Sequence, residues 1–333
     1  MHKKLLLTKF LIIRFSSIGD IVLTTPVVRC LKQQVEDAEV HYLTKKQFAP
    51  VLSSNPYIDK IHLLDDNLSE IVPQLKKEHF DYLIDLHKNL RTFLVKNRLN
   101  VLTFSFDKLN VQKWLLVNFK MNRLPDVHIV DRYLKSVTLF DVKNDNQGLD
   151  YFIPPEDEME VSSLPEDFSG GYIAFVIGAK HVTKQLSDDK IISICNRLQL
   201  PVILLGGEED REKAARITGA VKGNILNACG KYSINQSASL VKQARAVITH
   251  DTGLMHIAAA FNRKIISVWG NTIPGFGMYP YMTNSESEII QVEGLKCRPC
   301  SKIGYEKCPK GHFNCMMKID DNKIVELTRR FFQ

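Results

Sequence analysis

The chain is predicted to be an α/β protein built from two doubly wound parallel sheets. Three observations predict it. Short apolar runs alternate with amphipathic stretches along all 333 residues, the pattern of β-α-β units. Composition and punctuation change together between Lys143 and Gly171, where Pro154, Pro155, Pro165 and six acids from Glu156 to Asp167 end in paired glycines, which marks a domain boundary. After that boundary, three apolar runs stop directly at glycine, so several strand ends line one crevice.

In order, Phe10–Arg14 reads as a strand, Phe15–Asp20 as a turn and Ile21–Leu31 as a helix. Strands follow at Val40–Leu43, Ile58–Leu64, Phe80–Asp85 and Val101–Phe106, with amphipathic helices at Val111–Phe119 and Val130–Phe140. The second half restarts with a strand at Tyr172–Ile177 ending at Gly178, a helix at Asp188–Leu198, a strand at Val202–Leu205 ending at Gly206-Gly207, and a helix at Glu208–Thr218. Ile234–Ala244 is a helix, Ala246–Ile248 a strand and Ile257–Phe261 a helix; Lys264–Trp269 is a strand ending at Gly270, and Asp321–Phe332 is the last helix. This places an N-terminal domain at 1–160 and a C-terminal one at 161–320, with the helix at 321–333 packing back on the first.

Composition is that of a globular protein, with 44% hydrophobic and 24% charged residues. No apolar run approaches the ~18 residues of a membrane span. Met1–Phe15 is interrupted by Lys9 and Arg14 and lacks a small-residue cleavage site, so it is read as the first strand of a cytoplasmic protein rather than a leader. Seven cysteines, an odd number, fit a reducing compartment. Between His87 and Arg123 eight bases face one acid, Asp107, an excess equal to the net +7 of the whole chain. Such a field implies an anionic partner, with Lys88, Arg91 and Arg98 as candidate contacts; solvated helix lysines are the plainer alternative.

Thr249–His256 carries the strongest local signal for chemistry. Asp251-Thr252-Gly253 lies between a strand and a helix, on the carboxyl edge where α/β sheets bind ligands. Free N–H groups at a helix start favour an anion, Gly253 permits close backbone approach and His256 lies one turn on. A capped helix is the competing reading of the same residues. There is no P-loop, no Gly-x-Gly-x-x-Gly and no Gly-x-Ser-x-Gly. No Asp-x-Asp pair occurs either, so a bound diphosphate would be neutralised by lysine and helix N-termini rather than by a carboxylate-held Mg²⁺.

Four stretches together resemble the heptosyltransferase family, glycosyltransferase family nine: Arg14–Asp20; Gly178-Ala179-Lys180 with Thr183-Lys184; Gly206–Asp210; and Asp251–His256. The resemblance implies GT-B architecture, two Rossmann-like domains facing across a cleft, and inverting transfer of heptose from ADP-heptose to the lipopolysaccharide inner core. It implies Asp20 as catalytic base, Lys184 on the donor phosphates, Thr252 and Gly253 as the diphosphate turn, and Asp251 and His256 flanking sugar and phosphate. Gly178 closes a donor-side strand, Asp210 or Glu208 falls where an acid binds the ribose, and Tyr232 where a side chain covers adenine. Lys184-Gln185-Leu186-Ser187 departs from the family, which often has an aromatic residue two positions after the lysine and then a proline. The implied acceptor is anionic and membrane-borne, so the enzyme is expected to be peripheral on the inner face of the cytoplasmic membrane, with no nucleic-acid partner. Another nucleotide-sugar transferase or an epimerase of the same fold is the alternative. A zinc-containing nucleic-acid-binding protein is the rival from another class.

Within loop 297–315, Cys297, Cys300, Cys308 and Cys315 have the spacing of a tetrahedral zinc site. A Cys₃His set with His312, or unliganded thiols packing a long loop, fit the same spacing. No cofactor is expected for catalysis.

Overall fold

The computed structural model describes residues 7–65 and 67–333; the part of the N-terminal reading that covers Met1–Leu6 lies outside them. The chain divides into two compact units, Met1–Lys108 with Val127–Phe152, and Leu109–Asp126 with Ile153–Gln333.

The first unit holds a parallel sheet of β1 (Thr8–Ile13), β2 (Ala38–Lys45), β3 (Lys60–Leu64), β4 (Tyr82–Asp85) and β5 (Leu102–Ser105), in the order β3-β2-β1-β4-β5. Phe10–Ile13 of β1 are fully buried. A central strand covered on both faces has no polar side to alternate, which is why it reads as an unbroken apolar run. Around the sheet run α1 (Ile18–Val22), α2 (Thr25–Gln34), α3 (Leu68–Lys77), α4 (Leu90–Leu99) and α6 (Ile129–Leu134), while α5 (Asn110–Phe119) belongs to the second unit. The strand order reverses beside β1, so the ends of β1 and β4 flank a topological switch point.

The second sheet comprises β6 (Ile173–Val176), β7 (Val202–Leu205), β8 (Ile225–Asn227), β9 (Ala246–His250), β10 (Ile265–Trp269) and β11 (Glu288–Gln291), all parallel in the order β11-β10-β9-β6-β7-β8. Its helices are α7 (Asp188–Leu198), α8 (Arg211–Ala220), α9 (Ile234–Gln243), α10 (Gly253–Ala260), α11 (Asn314–Met317) and α12 (Asp321–Phe332). Here the switch point lies between β6 and β9.

Several elements differ from expectation. Helix α1 begins at Ile18, so Asp20 sits inside its first turn rather than ahead of it. Helix α10 begins at Gly253 rather than Ile257, with Thr252 as its cap. The predicted helix over 130–140 stops at Leu134, where Ser136 Oγ donates back to the Tyr133 carbonyl at 2.6 Å. β8 and β11 are short edge strands without a clear apolar run.

The division near residue 160 moves to 152/153 for an identifiable reason. Arg29, buried in α2, holds Asp145 at 2.7 Å and also pairs with Asp150, tying that segment to the first unit. Asp157 accepts from Asn235 at 2.9 Å and Glu158 pairs with Lys242 at 2.6 Å, tying the next residues to α9. The C-terminal helix is grouped with the second unit. α12 packs on α7, its Ile324, Val325, Leu327 and Phe331 joining Ile191, Ile194 and Leu198 in the second core. No helix among the described residues is long and apolar enough to cross a membrane.

Candidate active site

In the first unit the chain leaves β1 at its carboxyl end and turns into α1. Arg14, almost buried, donates to the carbonyls of Ser16 (2.7 Å) and Leu86 (2.6 Å) and to the Tyr133 hydroxyl (3.1 Å). Its Nη2 lies 2.7 Å from Asp20 Oδ1, while the Ser17 amide and hydroxyl donate to Oδ2 at 3.2 and 2.8 Å. Burial would raise the Asp20 pKa, but the Arg14 charge and the Ser17 hydrogen bonds outweigh it and hold the carboxyl below its ordinary value. The Asp20 side chain keeps 22% exposure, so a ligand can reach it.

The end of β4 reaches the same edge. Asp85 is fully buried and accepts from the His87 and Lys88 amides at 3.0 and 2.7 Å, a turn-forming role. The His87 ring is tilted against that of Phe15, with centroids 5.1 Å apart. Burial first, then the Arg14 and Lys108 charges, pushes its pKa down to about 4, so it is neutral at pH 7.

In the second unit the two strand ends at the switch point carry an ion pair. Lys184, on the loop after β6, places Nζ 2.6 Å from Asp251 Oδ2, just after β9. Thr272 Oγ1, beyond β10, donates to the same oxygen at 3.1 Å. Thr252 caps α10, with its hydroxyl 3.3 Å from that of Thr249. Three strand ends thus bring a cation, a carboxylate, two hydroxyls and a helix N-terminus to one edge, a set that suits an anionic ligand.

The family model described as Glycosyltransferase family 9 (heptosyltransferase) matches residues 69–308. The chain belongs to glycosyltransferase family 9. Lipopolysaccharide heptosyltransferase 1 of Campylobacter coli is 25% identical over 348 residues, covering 97% of this chain and 99% of that protein. A family 9 glycosyltransferase from Veillonella parvula superposes with a TM-score of 0.78 at 19% identity, covering 98% of this chain and 97% of the other. The E. coli ADP-heptose lps heptosyltransferase II structure gives 0.75 at 19% identity, covering 98% of each chain. The two Rossmann-like units are therefore those of a GT-B glycosyltransferase.

In this family 9 chain the remaining predicted residues fall in different settings. Asp210 turns inward, 5% exposed, accepting from the Gly207 amide at 3.0 Å. A Cβ on Gly178 would meet its Oδ2 at 2.0 Å, so glycine at that strand end makes room for Asp210. Glu208 is exposed and pairs with Arg211. Tyr232 is half-buried on the turn before α9, and His256 is buried within α10.

Lys88, Arg91 and Arg98 are exposed around the start and outer surface of α4, whereas Lys113, Lys120 and Arg123 belong to the second unit. The basic segment is thus shared between the units. Arg91, Leu94 and Arg98 follow helical i, i+3, i+7 spacing, and Leu90, Phe93 and Leu94 are 74%, 52% and 38% exposed.

Sequence reasoning missed Arg14, Thr272 and Lys213. Lys213 reaches from α8 to the Gln185 side chain (2.9 Å) and the Leu186 carbonyl (3.0 Å), fixing the Lys184 loop; burial lowers its pKa. The loop is also clasped by the Cys-rich segment. The Thr183 amide donates to the Tyr305 carbonyl at 3.1 Å, and the Tyr305 amide to Thr183 Oγ1 at 2.8 Å. Arg298 donates to the Thr272 carbonyl at 3.1 and 2.8 Å. Cys297 Sγ lies 3.9 Å from His312 Nε2. Burial, followed by the other thiols, raises Cys300 and Cys315 above the ordinary thiol range.

Proposed function

We propose that this glycosyltransferase moves heptose, with inversion, from ADP-heptose to an anionic acceptor of the lipopolysaccharide inner core. The observation that carries the donor half is the Lys184–Asp251–Thr272 cluster beside the α10 N-terminus, at the switch point of the second sheet. In this reading Lys184, the first α10 amides and the Thr252 hydroxyl stabilise the diphosphate as it departs. Gly253 lets it approach the backbone, with Asp251 and His256 flanking sugar and phosphate. Glu208 takes the ribose, Asp210 and Gly178 shape the strand ends beneath it, and Tyr232 covers the adenine. Asp20 accepts the acceptor's hydroxyl proton, aided by the oxocarbenium character that makes proton transfer late. The relatives named above support ADP-heptose and lipopolysaccharide as the substrate classes.

A nucleotide panel tests the donor. ADP at 100-fold its Kd should stabilise the protein by about 2.7 kcal/mol over the ligand-free chain, and UDP or GDP at the same concentration by less. A preference for UDP would overturn the heptose reading and leave another nucleotide-sugar transferase or an epimerase.

The acceptor half rests on α4, where exposed apolar side chains alternate with Arg91 and Arg98 beside Lys88. That combination suits a phosphorylated saccharide on lipid at the cytoplasmic face of the membrane, where each cation contributes ~1 kcal/mol. Arg91→Glu with Arg98→Glu should raise the acceptor KM by about 10–100-fold, with ADP affinity unchanged. Equal loss of ADP binding would assign the segment to the fold instead.

The four loop thiols are proposed to hold a structural zinc. Among the described residues no three of them lie within 4.8 Å of one another, so the loop has to close on the ion. Such a metal would stiffen the clasp on Thr183 and Thr272 and take no part in the chemistry.

A further inference from the structure

We propose that His41, His62 and Glu78 form a second, independent site for a divalent transition metal of the zinc class, on the first sheet. His41 lies in β2 and His62 in β3, on adjacent parallel strands, and Glu78 is the C-cap of α3. One donor atom from each lies within 4.8 Å of the other two, the sole such set of three or more His, Cys, Asp or Glu donors among the described residues.

The hydrogen bonds already point the rings at one another. His41 Nε2 lies 2.7 Å from Glu39 Oε1, and a carboxylate only accepts, so Nε2 carries the proton. In the tautomer with Nδ1 unprotonated, His41 presents a lone pair 2.9 Å from His62 Nε2. A proton bridges the two nitrogens now; a tautomer shift in His62 frees its Nε2 for an ion. Glu39 behind His41 is the carboxylate that commonly orients a ligating imidazole. Both histidines are buried, 1% and 5% exposed, and Phe80 packs edge-on against them at 5.1 and 6.0 Å. Two imidazoles behind an apolar wall, with a carboxylate on the wetter side, match zinc's preference for nitrogen and oxygen donors.

The charged groups facing the cluster are Lys60, 2.5 Å from Glu78, and Lys9, 3.3 Å from Glu39. Lys60 occupies the carboxylate that the ion would take and so competes with it. The cluster lies midway along the strands: His41 is level with Leu11 of β1, whereas Asp20 follows the end of that strand. It is separate from the groups assigned to transfer.

The test is Co²⁺ titration of the chelator-stripped full-length chain, read by absorption and by ion stoichiometry. Cys300→Ser should still take up one ion with d–d bands, whereas any further ion and thiolate-to-cobalt band that the Cys-rich loop adds in the unchanged chain should vanish in that variant. His62→Gln retains a hydrogen-bond donor for His41, and exposed-side Glu78→Gln leaves the core intact. Each should weaken this ion at least tenfold, and Lys60→Met should tighten it severalfold. Circular dichroism in chelator checks that the variants fold. Binding that is absent from the unchanged chain, or unaltered in both His62→Gln and Glu78→Gln, overturns the proposal.

Discussion

Asp20→Asn is expected to lower kcat by roughly 10²–10⁴, the usual weight of general-base catalysis, while ADP affinity stays nearly unchanged. The asparagine keeps the shape and can still accept from Ser17, but its amide cannot take the acceptor's proton. The Arg14 contact sharpens this expectation. At 2.7 Å the guanidinium keeps Asp20 ionised and makes it a weak base, which serves only a transition state where the proton leaves late. The acid limb of kcat/KM should therefore fall below the ordinary carboxylate range. The stability effect has the same sign. A carboxyl whose pKa is depressed by folding stabilises above its unfolded pKa, and that contribution is lost as pH falls through the folded pKa. Asp20→Asn should also cost about 1–3 kcal/mol, because Arg14 loses a charged hydrogen-bond partner, and this is separable from the kinetic loss by measuring both. Near-normal turnover of Asp20→Asn would move the base to His87, which is neutral at pH 7 and sits at the neighbouring strand end, rather than to Asp85, which is buried in its own turn.

Lys184→Met is expected to weaken ADP binding about 100-fold, the scale of one charged hydrogen bond, and to lower kcat further, since charge on the leaving diphosphate grows in the transition state. Methionine keeps the apolar stem, so the fold should survive. The variant also leaves the Asp251 carboxylate without its cation and facing the diphosphate, which adds repulsion to the lost attraction. Calorimetry with ADP reads the binding part and single-turnover transfer the rest. Unchanged ADP affinity would assign Lys184 to holding Asp251 and its loop alone.

The two-sheet plan was legible because central parallel strands such as Phe10–Ile13 and Val202–Leu205 are apolar throughout, and boundaries such as Asp188–Leu198 carry their own cap signals. The strands β8 and β11 were not, because Ile-Leu-Asn and Glu-Ile-Ile-Gln each hold only two adjacent apolar residues, too few to show a period. At the candidate site, Asp20, Lys184 and Asp251-Thr252-Gly253 announce themselves by their turns. Their partners do not. Arg14 meets Tyr133 across 119 positions, Lys184 meets Asp251 across 67, and Thr272 meets Asp251 across 21. These pairings exist only once strand order is set. The same holds for His41 and His62, which look unrelated until β2 and β3 align.

The Lys184–Asp251 pair also bears on turnover. In the proposed reaction, a cation that already has an internal anion would take the donor by exchange, its diphosphate displacing a carboxylate. In the proposed reaction the departing ADP carries more negative charge than the sugar nucleotide, because its terminal phosphate is no longer esterified. A bare lysine would therefore hold product more tightly than substrate and stall each cycle. In that reading Asp251 would act as a resident competitor, reclaiming the ammonium as ADP loosens and moderating product inhibition at some expense in donor affinity.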